Sequence, residues 1–374
     1  MFMLKEFRVQ GYRGFKDEIA WSFVPAGDYD FAPFKDYDAV SEGLIKSGIV
    51  FGKNGSGKSN LGCALFDIIN HLADGVKTDA NYYDNFTYAN HPDGVVKFTY
   101  LFQFDGRELE YRYSKTRDGR LVAEELRWDG DLILNLEKNR ALILHGFELS
   151  DNATQDIERG GNAISIVKFL LASIPLSSGH YMLKLQGFVQ RMLWFKNLDD
   201  RRYMGFKSGE PTLGGFIIKN DLVEDFQAFL MEASEQSYSL LKVEGNENEI
   251  YCLVDGEIIP LLKIASTGTC ALLLLYCWMK QIEQQGASFI FIDEFDAFYH
   301  FALSKAVCRR LFKFPAQVFL SSHNTALMTN DLLRPDCYFV IDGKSVRSLP
   351  QLTDRDLQWG HNLERLYRGG AFEV

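Results

Sequence analysis

The sequence predicts an α/β protein in which a parallel sheet with flanking helices is joined to a small antiparallel β-subdomain and a helical insertion. An apolar run at 49–51 is followed by a glycine-rich loop and then by apolar residues at helical spacing as far as Leu72. Residues 95–137 alternate apolar and polar side chains and contain three Asp-Gly pairs, a pattern typical of antiparallel hairpins. From about residue 249 onward, strand-like and helix-like segments alternate, which implies a parallel sheet.

We expect this organisation to divide the chain into three parts. An N-terminal lobe (1–145) holds the glycine-rich loop and the antiparallel β-subdomain, a helical insertion follows (146–243), and a C-terminal lobe (244–374) completes the parallel sheet. Three apolar stripes at helical spacing predict the helices of the insertion, and each also fits an ordinary buried core. Their members are Ile164, Ile166, Val167, Leu170 and Leu171; Met182, Leu185, Val189, Met192 and Leu193; and Leu222, Val223, Phe226, Phe229 and Leu230.

The composition predicts a soluble cytoplasmic protein. Of the 374 residues 47% are apolar, which is enough for a substantial core, and the formal net charge is −10. An acidic balance argues against a surface that is basic throughout, so nucleic-acid contact would need a local patch or a partner. The six cysteines form no C-x-x-C pair and read as buried free thiols of a reducing compartment. The most apolar stretch, Ala271–Met279, is too short to span a bilayer.

Residues Gly52–Ser59 form an unbroken G-x-x-x-x-G-K-[ST] phosphate loop between a strand-like run and a helix-like segment. In such a loop, backbone N–H groups face the phosphates, Lys58 reaches the β/γ oxygens, and the Ser59 hydroxyl holds Mg²⁺. A chance glycine-rich turn is the alternative, and the flanking patterns argue against it. The sequence therefore predicts a site for a nucleoside triphosphate. The predicted binding residues are Gly52, Lys53, Asn54, Gly55, Ser56, Gly57, Lys58, Ser59 and Asn60.

An apolar strand-like run at 289–292 ends in the acid pair Asp293 and Glu294. If this strand lies beside the phosphate loop, Asp293 can hold Mg²⁺ and Glu294 can orient or deprotonate an attacking water. A solvated Asp-Glu pair at a strand end is the ordinary alternative. The phosphate loop upstream favours the functional interpretation.

Two further segments carry groups that suit a γ-phosphate. Ser266 and Gly268 stand before the very apolar helix that begins near Cys270, where N–H groups, a hydroxyl and the helix dipole can bind an anion. Taken alone, this Ser-x-Gly is only a helix cap. A strand-like run at 317–320 ends in Ser-Ser-His, and His323 can donate a hydrogen bond to the phosphate, although most lone histidines are structural.

In this order, these elements resemble the motifs of ABC-type ATPases, in the branch that includes SMC-like, RecF-like and OLD-type proteins. The resemblance covers residues 1–140 and 245–374. The matching motifs are Walker A at Gly52–Ser59, the signature motif at Ala265–Thr269, Walker B at Phe289–Glu294 and the switch-histidine strand at Leu320–His323.

Within that branch, the chain looks like the small AAA/ABC-type ATPases encoded beside restriction and anti-phage genes, the RloA-like group. The similar segments are Leu44–Lys46 leading into Asn54–Leu61, then Asp293–Asp296, then Asn362–Tyr367. The resemblance implies an ABC-type ATPase head, with a mixed sheet beside the parallel sheet and flanking helices.

The resemblance also implies Mg-dependent hydrolysis of ATP to ADP and phosphate by a head-to-tail homodimer. The short apolar stretch noted above, in turn, predicts no membrane association. Ser266 and Gly268 of one subunit would close over ATP held by the other subunit's phosphate loop. Arg13 would lie near the nucleotide. The implied catalytic residues are Lys58, Glu294 and His323, and the implied Mg²⁺ ligands are Ser59 and Asp293. Gln103 is a weak candidate for the family's Q-loop glutamine, since it also fits a solvated strand position.

Three functions remain open from the sequence. The leading hypothesis is a switch subunit of a bacterial anti-phage defence system, in which ATP-dependent dimerisation controls a separate effector such as a nuclease or toxin. The alternative is a RecF-like DNA-repair ATPase that binds DNA directly. The third is a nucleotide sensor without hydrolysis, against which Glu294 argues. The candidate DNA-binding patch is Lys184, Arg191, Arg201, Arg202 and Lys207.

Overall fold

The computed structural model describes residues 2–27, 29, 37–73, 82–89, 94–137, 142–147, 149, 165–196, 203–206 and 212–372. In chain order the strands are β1 (Phe2–Gln10), β2 (Ile19–Ser22), β3 (Val40–Ser41), β4 (Leu44–Ile45), β5 (Ser47–Phe51), β6 (Val95–Phe104), β7 (Arg107–Thr116), β8 (Leu121–Trp128), β9 (Asp131–Glu137), β10 (Ile143–Leu144), β11 (Met192–Lys196), β12 (Tyr203–Gly205), β13 (Leu240–Val243), β14 (Asn246–Val254), β15 (Glu257–Pro260), β16 (Phe289–Asp293), β17 (Gln317–Ser321), β18 (Tyr338–Ile341) and β19 (Val346–Ser348).

The α-helices are α1 (Lys58–Leu65), α2 (Asp67–Leu72), α3 (Ile166–Ser173), α4 (Tyr181–Gln190), α5 (Leu213–Lys219), α6 (Val223–Ser234), α7 (Leu261–Ile264), α8 (Thr267–Gln285), α9 (Phe301–Leu311) and α10 (Leu363–Arg368). Short 3₁₀ helices cover Thr325–Leu327, Pro335–Cys337 and Leu349–Leu352. Within the described ranges, no helix is both long enough and apolar enough to cross a membrane.

One seven-stranded sheet is antiparallel, in the order β10-β9-β8-β7-β6-β1-β2. Three of its turns, β6–β7, β7–β8 and β8–β9, contain the predicted Asp-Gly pairs. At two of them, Asp105 and Asp129 adopt positive φ angles of 48° and 54°, which suit tight hairpin turns. The N-terminal strands β1 and β2 extend the predicted β-subdomain, so this sheet is larger than the sequence pattern indicated.

The central sheet has the order β12-β11-β16-β17-β5-β18-β19. Its five inner strands run parallel and its two edge strands run antiparallel to their neighbours. The predicted parallel sheet is therefore present, with β5 between β17 and β18. The carboxyl ends of β5, β16 and β17 meet at one edge.

The prediction that Met192 and Leu193 continue a helical stripe is wrong. Helix α4 ends at Gln190, and residues from Met192 form β11, which pairs in parallel with β16. A short apolar run buried on both faces has no periodicity that separates a central strand from the end of a buried helix. The other two stripes lie on α3 and α6, except that Leu222 precedes α6 and Ile164 lies outside the described residues.

Aromatic side chains fill the space between the two large sheets. The Phe319 ring centroid lies 5.0 Å from that of Trp21 and 4.8 Å from that of Phe23. The buried Gln317 amide joins the same sheets, because its Oε1 accepts from the Leu4 N–H at 2.7 Å and its Nε2 donates to the Leu4 carbonyl at 2.9 Å. These contacts fix the central sheet against β1 and β2.

A buried polar cluster fastens the helices after the phosphate loop to the antiparallel sheet. Asp67, at the start of α2, accepts hydrogen bonds from Lys115 Nζ at 2.6 Å and from the Tyr113 hydroxyl at 2.8 Å. All three side chains are buried, so the ion pair and the hydroxyl hydrogen bond replace the hydration that the charges of Asp67 and Lys115 lose. The cluster holds α1 and α2 in place behind the loop.

Candidate nucleotide-binding site

The phosphate loop connects the fully buried strand β5 to α1, as the sequence predicts. Gly55 and Gly57 have φ angles of 78° and 102°, which side chains larger than hydrogen rarely adopt. A Cβ atom on Gly52 would lie 2.6 Å from the Ile341 carbonyl oxygen, and one on Gly57 would lie 2.6 Å from the Phe15 ring. The glycines therefore allow the loop to fold tightly against β18 and the N-terminal turn.

The Lys58 ammonium lies within this loop. Its Nζ donates to the carbonyl oxygens of Gly52 at 2.8 Å and Lys53 at 3.3 Å. Burial lowers the pKa of Lys58, while the charges of Asp293 and Glu294 oppose that change. The ammonium is thus desolvated, close to the acid pair, and positioned inside the concave loop.

Asp293 ends β16 fully buried. Its Oδ1 accepts a hydrogen bond from the Ser321 hydroxyl at 2.6 Å, and its Oδ2 has no hydrogen-bond partner among the residues that the structure describes. A buried carboxylate oxygen without a partner is costly unless a cation or water satisfies it. Carboxylate and hydroxyl oxygens are ligands that Mg²⁺ accepts, so Asp293, together with Ser59 in the first turn of α1, fits such an ion.

Glu294 follows in a left-handed backbone conformation, with φ of 50°. Its N–H donates to the Ser321 hydroxyl at 2.8 Å, so one serine orients both residues of the acid pair. The Glu294 carboxylate forms an ion pair with Lys196, with 3.0 Å between Oε2 and Nζ. Non-glycine residues in this conformation are strained and cluster at functional sites.

His323 and Glu294 line one cleft of about 310 Å³ together with Asn54 of the phosphate loop. Burial and the Lys58 charge lower the pKa of His323, while Glu294 and Asp293 oppose that change. The imidazole is therefore mainly neutral at pH 7. The structure thus brings together three of the predicted segments, which are far apart in sequence.

The Ser322 hydroxyl fixes the strand end before this histidine. It donates to the Asp296 carboxylate, with both oxygens at 2.8 Å, and burial raises the pKa of Asp296.

Ser266 and Gly268 lie elsewhere on the chain. Ser266 is the N-cap of α8, and its hydroxyl oxygen accepts from the Thr269 N–H at 3.1 Å. A Cβ atom on Gly268 would lie 3.1 Å from the Phe298 carbonyl oxygen. In the described part of the chain, neither residue hydrogen-bonds to the phosphate loop or the cleft, and Ser266 is exposed.

Arg13 belongs to a turn that touches the phosphate loop, but its guanidinium points to a second cavity. The Phe15 ring lies against Gly57. The Arg13 guanidinium lies 5.1 Å from the Tyr12 ring centroid and donates to the Tyr82 carbonyl at 3.5 Å. The residues that line this cavity are Arg13, Asp84, Asn85, Thr87, Ala89 and Arg117.

Sequence reasoning did not single out Ser321 and Lys196. A signal existed for Ser321, because its hydroxyl directly follows a buried strand expected at the same sheet edge as Asp293. No sequence signal pointed to Lys196, because its place beside Glu294 depends on strand β11, which the sequence did not predict.

Comparison with known proteins identifies the architecture. No family model and no curated protein matches the sequence. Among solved structures, an SMC head bound to the C-terminal winged-helix domain of ScpA is 16% identical with a TM-score of 0.51, covering 93% of this chain and 97% of that chain. The chain has the SMC-head fold.

An SMC head domain with an extended coiled coil, bound to the C-terminal domain of ScpA and derived from Pyrococcus furiosus, is 14% identical with a TM-score of 0.50, covering 94% of this chain and 98% of that one. A RecF–ATP structure is 15% identical with a TM-score of 0.42, covering 93% and 98%. The SMC-head architecture confirms the predicted fold class of an ATPase head with mixed sheets and flanking helices.

Proposed function

We propose that the protein is a Mg-dependent ATPase that converts ATP and water to ADP and phosphate. The observation that carries this proposal is the cleft in which Asn54, Glu294 and His323 meet. The buried Asp293, whose free carboxylate oxygen fits a cation, precedes Glu294 directly. An SMC-head fold supports the proposal, because that architecture places these segments at one sheet edge.

Each residue of the site has a chemical role in this proposal. The loop from Gly52 to Asn60 binds the phosphates through its N–H groups, and Lys58 neutralises the β/γ oxygens. Ser59 and Asp293 would hold Mg²⁺, which would supply positive charge to the phosphate oxygens. Glu294 orients the attacking water and accepts its proton, and neutral His323 donates a hydrogen bond to the transferred phosphoryl group.

The site is completed by a second copy of the chain. Ser266 is exposed at the N-terminus of a 19-residue helix, and among the described residues its side chain hydrogen-bonds to Thr269 and not to a residue of the cleft. An N-terminal helix end with a hydroxyl suits a γ-phosphate. A head-to-tail homodimer therefore places Ser266 and Gly268 over the ATP of the partner. Arg13, whose turn packs against Gly57 of the same chain, is proposed to lie near the ATP held by its own phosphate loop.

Mixing two inactive variants tests the shared site. Lys58→Ala removes the loop ammonium, and Ser266→Arg blocks the surface that faces the partner's ATP. Each variant alone is expected to lose ATP hydrolysis, and an equimolar mixture is expected to recover it. Recovery is expected because the heterodimer pairs an intact loop from one chain with an intact Ser266 from the other. Phosphate release measures the result, and a mixture as inactive as its components would contradict the shared site.

The proposed biological role is an ATP-dependent switch in a bacterial anti-phage defence system, in the cytoplasm. The RloA-like sequence segments support it. The divisions 1–145, 146–243 and 244–374 stay predictions, and the middle part is the proposed docking surface for a separate nuclease or toxin. Because β11 leads from this part to the edge of the cleft, its movement can follow the nucleotide state. Co-purification of the chain with a nuclease or toxin encoded beside it, with and without ATP, tests this role. If no such protein co-purifies under either condition, the role is contradicted.

The RecF-like alternative requires direct DNA binding. Lys184 and Arg191 are exposed on and beside α4, whereas Arg201, Arg202 and Lys207 lie outside the described residues. DNA binding that needs ATP and weakens steeply with salt would favour this alternative.

A further inference from the structure

Strand β11 brings a lysine to the edge of the proposed active site. β11 pairs in parallel with β16, and the register places Lys196 opposite Asp293. The Lys196 ammonium lies 3.0 Å from Glu294 Oε2. A lysine from the middle part of the chain therefore contacts the carboxylate to which we assign proton transfer.

Glu294 is held at two points. Its backbone N–H donates to the Ser321 hydroxyl, and its side chain contacts Lys196. Lys58, in contrast, donates to the loop carbonyls of Gly52 and Lys53. Ser321 holds Glu294 at its backbone and Lys196 holds it at its carboxylate, so the loss of either contact is expected to loosen the left-handed turn at this residue.

The exposure of this ion pair argues against a role in folding stability. The side chains of Lys196 and Glu294 are 29% and 36% exposed. Ion pairs this exposed contribute little to folding stability, because water screens the charges and two flexible side chains must be ordered. A carboxylate that must meet one water molecule is, in contrast, sensitive to small displacements.

We propose that Lys196 is a positioning residue for ATP hydrolysis, and this rests on the proposed ATPase function. Its ammonium holds the Glu294 carboxylate toward the cleft shared with Asn54 and His323, in the orientation from which Glu294 receives the proton of the attacking water. The middle part of the chain thereby supplies a residue to the chemistry, in addition to any docking surface.

Steady-state kinetics of Lys196→Met and Lys196→Arg test the inference. Lys196→Met is expected to lower kcat roughly 10- to 100-fold, with KM for ATP within about twofold, because orientation is lost and binding is not. Lys196→Arg keeps the charge and is expected to recover most of kcat. In a Glu294→Gln background, Lys196→Met is expected to cause no further loss. Lys242→Met, which removes a lysine of another exposed ion pair, with Asp221, is the matched control.

Hydrogen exchange of the nucleotide-free protein gives a readout that does not require activity. The N–H groups of Glu294 and Phe295 donate to Ser321, and Lys196→Met is expected to speed their exchange while Lys242→Met does not. A wild-type kcat in Lys196→Met overturns the inference. So does a loss of kcat on adding Lys196→Met that is as large in the Glu294→Gln variant as in the wild-type protein. If the wild-type chain itself does not hydrolyse ATP, the proposed function fails, and unchanged exchange at these two amides then overturns the positioning role as well.

Discussion

Lys58→Ala is expected to weaken ATP binding on the order of 100-fold or more, because charge-assisted hydrogen bonds each contribute about 1.5–3 kcal/mol. The Lys58 side chain is buried, and its ammonium donates to two carbonyl groups of the loop. Alanine removes the charge opposite the β/γ-phosphates and leaves those carbonyls without a donor. Titration of the protein with a fluorescent ATP analogue in the presence of Mg²⁺ measures the affinity.

Lys344→Ala is the matched control, since it removes the same charge from an exposed turn next to the loop. Its affinity for the analogue is expected to stay close to that of the wild type. The thermal melting temperature of both variants shows whether they are folded. Equal affinity in a folded Lys58→Ala protein would contradict the assignment of the loop as the triphosphate site.

Glu294→Gln is expected to slow ATP hydrolysis by about 10²- to 10⁴-fold, the usual contribution of a general base. The amide has nearly the same shape and still accepts a hydrogen bond from Lys196, but it cannot take a proton from water. ATP binding does not depend on that proton, so the variant is expected to accumulate as an ATP-bound dimer. Single-turnover phosphate release measures the chemistry, and light scattering after size-exclusion chromatography measures the dimer.

Glu247→Gln provides a comparison for this substitution, because Glu247 is exposed on β14. It is expected to hydrolyse ATP as the wild type does and to show no excess dimer. Hydrolysis by Glu294→Gln at the wild-type rate would contradict the assignment of Glu294 as the group that accepts the proton of the attacking water. A monomeric Glu294→Gln protein under saturating ATP would instead argue against dimerisation by nucleotide.

The parts of the site that could be predicted are those that depend on residues close together in the sequence. The phosphate loop needs glycine at fixed positions, and Asp293 and His323 each follow a buried strand whose apolar run is visible without the fold. Because the carboxyl ends of parallel strands share an edge, these runs were sufficient to place the three segments near one another. The three hairpins from β6 to β9 were equally local, since each contains one Asp-Gly pair.

The parts that could not be predicted depend on strand order. β11 reads like the end of a helix, and only its pairing with β16 shows that Lys196 stands beside Glu294. The bond between the Ser321 hydroxyl and Asp293 likewise joins two strands whose register no local pattern determines. The exposed position of Ser266 is a third case. In sequence, a serine that only caps its own helix has the same pattern as one that also contacts a partner subunit.

The position of β5 in the central sheet has a consequence for synthesis of the protein. Its neighbours β17 and β18 are made long after the phosphate loop, whereas the strands of the antiparallel sheet mostly pair with close neighbours along the chain. On the ribosome, the N-terminal half can form its hairpins early, while the apolar β5 waits for a sheet to join. A nascent chain therefore acquires its nucleotide pocket only after β17 and β18 have been made, and until then the apolar strand β5 has no neighbouring strands to pair with.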